Sequence, residues 1–166
     1  MSADKTKQLE ARVQDLEAEW AIRNLIATYM LRADARDAEG VAEQFAKDGV
    51  LDVEGLLKDI PVKKIHKGRK AIAKLFREVI EPAPCFLWHL AHTPHIEVYG
   101  DKATGHWGWT ALVRFPDSDA MEMGGVYDDK YVKTDEGWKI KKKVIAAWYM
   151  LEFGKWDNQR FFGPMR

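Results

Sequence analysis

The spacing of apolar residues changes period partway along this chain, and the change constrains the fold more than any single motif. Up to Ile80 apolar side chains recur every three or four positions, whereas from Phe86 onward they alternate. Helices therefore come first and long adjacent strands afterwards. That order predicts an α+β domain in which a curved, mostly antiparallel sheet wraps three N-terminal helices. The first helix is long: Leu9, Val13, Leu16 and Trp20, then Ile22, Leu25, Ile26, Tyr29, Met30 and Ala33, keep one helical period. Its beginning, residues 1–17, reads as a narrow-striped, heavily charged extension that packs on another subunit or lies across its own domain. A second helix is expected from an N-cap at Asp37, burying Val41 and Phe45 before Gly49. Short strands over Val50-Leu51-Asp52-Val53 and Lys64 to Lys67 precede a third helix. Gly68 opens that helix, Ile72, Leu75, Phe76, Val79 and Ile80 form its apolar side, and Pro82 and Pro84 end it. Four strand runs then follow, at about Phe86 to Tyr99, Lys102 to Phe115, Ala120 to Lys133 and Trp138 to Leu151. Gly100-Asp101, Pro116-Asp117-Ser118 and Asp135-Glu136-Gly137 separate them. The 166 residues fit a single domain, and the tail over 152–166 carries Trp156, Phe161 and Phe162.

Composition removes several function classes. Twenty-six basic residues balance 26 acidic ones and the two signs are mixed, so no basic face is expected to track a phosphate backbone. Nucleic acid is not an expected partner. The one cysteine, Cys85, has no partner for an internal disulfide, which points to a reducing compartment. Without an apolar signal segment or a membrane-length apolar run, a cytoplasmic protein with no membrane partner is expected. No H-x-H or HExxH spacing suggests a metal, and no glycine-rich loop or GxSxG element suggests a nucleotide or a nucleophile elbow. No cofactor is expected.

The chemistry concentrates in two places. In Trp88-His89-Leu90-Ala91-His92-Thr93-Pro94-His95-Ile96-Glu97-Val98, two histidines stand three residues apart at the mouth of a strand. Strand parity would put His92 with Ile96 and Val98, but Thr93-Pro94 is a natural bulge that resets the register, so parity leaves His89 and His92 open. Asp34, in register with Ile26 and Met30, ends the first helix, where a negative charge opposes the helix dipole at a cost of about 0.3–1 kcal/mol. Either it caps a fraying turn or pairs with Arg36, or it accepts a hydrogen bond from a histidine ring and fixes its tautomer. Along Lys102 to Phe115 one face carries Ala103, Gly105, Trp107, Trp109, Ala111, Val113 and Phe115. Two tryptophans there form a packed core or the wall of an aromatic-lined cavity. Of the lysine run from Lys139 to Lys143, either Lys142 or Lys143 can reach inward.

Ala21-Ile22-Arg23-Asn24-Leu25-Ile26, Tyr29, Asp34, Phe45-Ala46-Lys47-Asp48-Gly49-Val50, Lys67-Gly68-Arg69-Lys70-Ala71-Ile72, the His89 to Val98 run and Gly125-Val126-Tyr127-Asp128-Asp129-Lys130-Tyr131 to Trp138 together resemble one family. It is the SnoaL-like branch of the nuclear transport factor 2-like superfamily, and the likeness covers about residues 18 to 150. The resemblance implies a cone-shaped α+β barrel with a deep apolar pocket between helices and sheet. Within the branch the chain is similar to the bile-acid 7-alpha-dehydratases, with scytalone dehydratases and hexachlorocyclohexane dehydrochlorinases further off and cofactor-free lyases of diarylpropane diols alongside. By matching motif, the tyrosine, aspartate and histidine of those dehydratases fall on Tyr29, Asp34 and His89. The implied activity is a cofactor-independent lyase acting on a hydrophobic cyclic or aromatic alcohol, with His89 and Asp34 as general base and Tyr29 as acid. Trp107, Trp109, Trp88, Met123, Tyr127, Trp148 and Lys143 complete the expected substrate lining. Ala111 departs from the dehydratase pattern, which has a second pocket aspartate there. A ketosteroid-type isomerase and a non-catalytic small-molecule binding module are the alternatives, and a homo-oligomer is expected, a trimer ahead of a dimer.

Overall fold

A computed structural model describes residues 3–55, 63–82, 86–114 and 119–153. Cys85, Pro61, Pro84, Phe115, the Pro116-Asp117-Ser118 turn and the aromatic tail from residue 154, with Trp156, Phe161 and Phe162, lie outside the described residues. Helix α1 runs Ala3–Asp34, in a sequence free of glycine and proline and rich in alanine, leucine, glutamate and arginine. Arg36, in the left-handed region at φ 59°, turns the chain after it. Asp37 then caps the short α2, Ala38–Glu43, its Oδ1 accepting from the Gly40 N–H at 2.8 Å.

Phe45 does not belong to this second helix. It opens β1, Phe45–Gly55, and is fully buried, paired in parallel with Ile140 of β7, Gly137–Glu152. The Ile140 N–H donates to the Gln44 carbonyl at 2.9 Å, so pairing with a distant strand takes Phe45 out of the helix and lengthens the expected four-residue strand. Next come β2, Ile65–Lys67, and α3, Arg69–Leu75, which continues as a wider π-helical turn over Phe76–Ile80. The run expected as one strand from Phe86 to Tyr99 is two, β3 (Phe86–Ala91) and β4 (His95–Tyr99). Both pair antiparallel with β5, Lys102–Arg114, on either side of His92-Thr93-Pro94. With β6, Met121–Thr134, the strands form one curved, unclosed sheet in the order β2-β1-β7-β6-β5-β3, β4 also on β5.

The core lies between this sheet and one side of α1. Ile22, Ile26, Tyr29, Met30 and Ala33 from the helix are buried against Trp107, Trp109, Ala111 and Tyr127 from the strands, with Phe45, Leu51, Ile72 and Phe76 closing the side. At Gly125 the backbone of β7 comes so near that a Cβ would sit 2.0 Å from the Ala146 carbonyl oxygen, so this position takes only glycine without a shift of the strands. One feature of the register places a charge in the core. Lys130 pairs with Lys142 but Tyr131 with Ile140, and the extra residue on β7 lets both Ile140 and Lys143 face inward. Lys143 is fully buried, its Nζ 2.7 Å from Oδ2 of its cross-strand partner Asp129, itself fully buried as a side chain.

Removing one member of such a pair leaves the other charge uncompensated in a low dielectric. Lys143→Met is therefore expected to destabilise the fold by about 3–5 kcal/mol in urea titrations. Lys143→Met/Asp129→Leu, which removes both charges, should recover most of that loss. A double variant no more stable than the single one would show that the pair's desolvation is not what the fold carries.

Candidate active site

Asp34 is the last residue of α1, and β3 passes beside it. Its Oδ1 accepts from His89 Nδ1 at 2.6 Å, and its two oxygens accept from the His89 backbone N–H at 3.2 and 3.1 Å. Both side chains are mostly withdrawn from solvent. Three hydrogen-bonding contacts thus satisfy a carboxylate that opposes its own helix dipole. A ring whose Nδ1–H donates to this carboxylate carries its acceptor lone pair on Nε2.

The strand register separates the two histidines that the sequence leaves open. His89 pairs with Ala111, whose side chain is buried, and so shares the inner face of the sheet. His92 lies on the outer face, its Nε2 2.9 Å from Thr110 Oγ1 and its ring against Gly108. Outside the site too are His95 and the exposed His106–Asp128 pair, bonded at 2.6 Å.

Tyr29 reaches the interior one and a half turns before Asp34. Its ring meets Phe45, Phe76 and Tyr127 edge to face, with centroids 6.1–6.4 Å apart. Burial, reinforced by the Asp129 and Asp34 carboxylates, pushes its phenol above the ordinary tyrosine range, so it keeps its proton. Tyr127 is raised in the same way, by burial first and then by Tyr29, Asp129 and Asp34, and its ring stacks on Trp109 at 5.5 Å and 9°. Lys143 Nζ lies 3.9 Å from the Tyr127 ring centroid and 4.9 Å from that of Tyr29. Burial pulls Lys143 down and pushes Asp129 up, each opposed by the other's charge.

Two residues of this cluster escape a sequence reading, Asp129 and Tyr131. Tyr131 donates to Asp129 Oδ2 at 2.7 Å and accepts from Trp107 Nε1 at 2.8 Å, so one chain of hydrogen bonds joins Trp107, Tyr131, Asp129 and Lys143. The available signal is parity: Tyr127, Asp129 and Tyr131 alternate along β6 on one face. Asp129 Oδ1 and Trp109 Nε1 are buried with no hydrogen-bond partner among the described residues.

Of the expected lining, Trp107, Trp109, Tyr127 and Lys143 come together in the interior with Tyr29, and Met123 is half-buried at their edge, opposite Ala111 in register. Trp88 and Trp148 do not join them. Trp88 alternates with His89 onto the outer face of β3 and is half-exposed. Trp148 occupies the bulge where Gly125 pairs with Ala147 and Gly124 with Tyr149, and 71% of its surface stays open. Among the described residues no group of three or more His, Cys, Asp or Glu is arranged to hold a metal ion, and no helix is long and apolar enough to cross a membrane.

The profile of the SnoaL-like domain family matches residues 14–144. No curated protein sequence matches. Among solved structures the fold is similar to a hexachlorocyclohexane dehydrochlorinase of type 2, at 20% identity and TM-score 0.75, covering 88% of this chain and 97% of that one. It is also similar to a protein from Novosphingobium aromaticivorans assigned as a scytalone dehydratase, at 21% identity and TM-score 0.69, covering 90% and 91%. A third likeness is to Rv3472, a protein of unknown function from Mycobacterium tuberculosis, at 25% identity and TM-score 0.66, covering 78% and 75%. With helices against a curved, unclosed sheet in the nuclear transport factor 2-like cone fold, and a profile match over most of its length, this chain belongs to the SnoaL-like domain family.

Proposed function

We propose that the protein is a lyase that works without a cofactor, removing water or formaldehyde from a hydrophobic cyclic or aromatic alcohol such as a steroid-like or lignin-derived diaryl compound. The observation that carries this reading is the 2.6 Å bond from His89 Nδ1 to Asp34 on the inner face of the sheet. An imidazole oriented in this way suits a general base, and the Tyr29 phenol, which burial makes a weaker acid, keeps its proton to high pH and can still give it to a departing hydroxide, a stronger base than the tyrosinate. In dehydration, His89 Nε2 takes a proton from the carbon next to the carbinol. The C–H electron pair becomes the new double bond, the C–O bond breaks, and the departing hydroxide takes the Tyr29 proton to leave as water. Proton return from the imidazolium to the tyrosinate resets the site. Trp107 and Trp109 stand on the same inner face of β5 as Ala111, the register partner of His89, and the names of two similar structures, a dehydrochlorinase and a scytalone dehydratase, accord with elimination chemistry.

An isomerase is the second reading, and one observation favours it. The residue directly across from His89 in the β3–β5 register is Ala111, so no second acid stands there. Moving a proton between two carbons of a conjugated ketone needs only the base and a donor to the carbonyl oxygen, and His89 and Tyr29 fill those roles.

Incubation of the purified protein with hydroxysteroids, diarylpropane diols and conjugated enones, followed by mass spectrometry, separates these readings. Loss of water or of formaldehyde supports a lyase, an unchanged mass with a new absorption spectrum supports an isomerase, and no turnover of any compound sinks both. With an active substrate, His89→Ala should lower kcat by about 10²–10⁴-fold while circular dichroism stays native. Asp34→Asn should act in the same direction, because the ring loses its anionic acceptor. Near-normal activity in both variants would remove the dyad from the mechanism. The raised phenol also sets the alkaline limb: the rate should not fall between neutrality and pH 10 through loss of the Tyr29 proton, and Tyr29→Phe should be slow throughout that range.

A further inference from the structure

Helix α1 is apolar on two opposite sides. One side, through Ala18, Ile22, Ile26 and Met30, is buried in the core. The other, through Leu9, Val13, Leu16, Trp20 and, one helical face further along, Leu31, is exposed, with Trp20 and Leu31 66% and 69% open. At 100° per residue the two stripes lie well over a quarter-turn apart, so a partner on the exposed stripe meets no part of the domain's own core.

From Leu9 to Trp20 the spacing is four, three, four, the spacing of a two-stranded coiled coil with Val13 and Trp20 at a and Leu9 and Leu16 at d. A β-branched residue at a and leucine at d favour two strands. The flanking charges then choose the partner. Lys5 and Arg12 take g positions, Glu10 and Glu17 take e positions, and none of the four makes an ion pair within the chain among the described residues. In a parallel pair each g residue faces the e residue five positions on in the other helix. Lys5 of one copy then meets Glu10 of the other, and Arg12 meets Glu17, so all four contacts across the two-fold are attractive. An antiparallel pair sets glutamates against glutamates.

We infer that α1 pairs in parallel with α1 of a second copy of this chain through the Leu9, Val13, Leu16 and Trp20 stripe, joining two SnoaL-like domains back to back. The helix needs no separate nucleation, because its C-terminal half is already held by the domain.

Sedimentation equilibrium of the full chain tests this. Val13→Glu/Leu16→Glu should halve the mass of the assembly with native circular dichroism, since neither side chain touches the core. The charges give a test that does not depend on that variant's folding. Lys5→Glu/Arg12→Glu and Glu10→Lys/Glu17→Lys should each weaken association by about tenfold or more, and the four substitutions combined should restore it. A wild-type chain that stays monomeric, an assembly mass unmoved by Val13→Glu/Leu16→Glu, or charge variants without effect would each overturn the inference. The first of these would leave the stripe to a different protein.

Discussion

The contact between Asp34 and His89 fastens the end of the long helix to the edge of the sheet, and the site's chemistry follows from it. A carboxylate at a helix C-terminus is electrostatically misplaced, and it becomes stable here because a strand 55 residues away in sequence supplies both a ring N–H and a backbone N–H. The same bonds orient the imidazole, and donation by Nδ1–H to the carboxylate puts the ring's acceptor lone pair on Nε2. One set of hydrogen bonds both compensates the carboxylate and orients the ring, which gives a physical reason for a costly residue at that position.

Behind the dyad the interior is polar in an organised way. Trp107, Tyr131, Asp129 and Lys143 form a connected network, and the rings of Tyr29 and Tyr127 lie under the lysine charge. Low dielectric strengthens each of these interactions and raises both phenols, so the interior presents protonated hydroxyls close to carboxylates. The proposed reaction, in which negative charge appears on an oxygen, calls for donors held in this way.

Helix α1 links the domain's interior to its exterior. Its inner stripe builds the core and brings Tyr29 and Asp34 to the site, while its outer stripe continues past the domain with the spacing of a coiled coil. A helix with two apolar sides has little amphipathic contrast as a whole, and only the burial of one side tells the two stripes apart.

The change of period between Ile80 and Phe86 is legible in the residues and determines the α+β order, because 3.6-residue and two-residue repeats cannot exchange places. The inward tryptophans of β5 and the candidacy of Tyr29, Asp34 and His89 were legible too, the first from alternation and the others from a motif match. What tertiary structure decided is whatever depends on register. Phe45 became a strand residue because Ile140 pairs with it in parallel; His89 rather than His92 faces inward because β3 and β4 bind β5 separately across Thr93-Pro94; Lys143 rather than Lys142 is buried because of one extra residue opposite Lys130. A one-residue slip moves a side chain to the opposite face without altering the local sequence, so these outcomes belong to the pairing of strands distant in the chain.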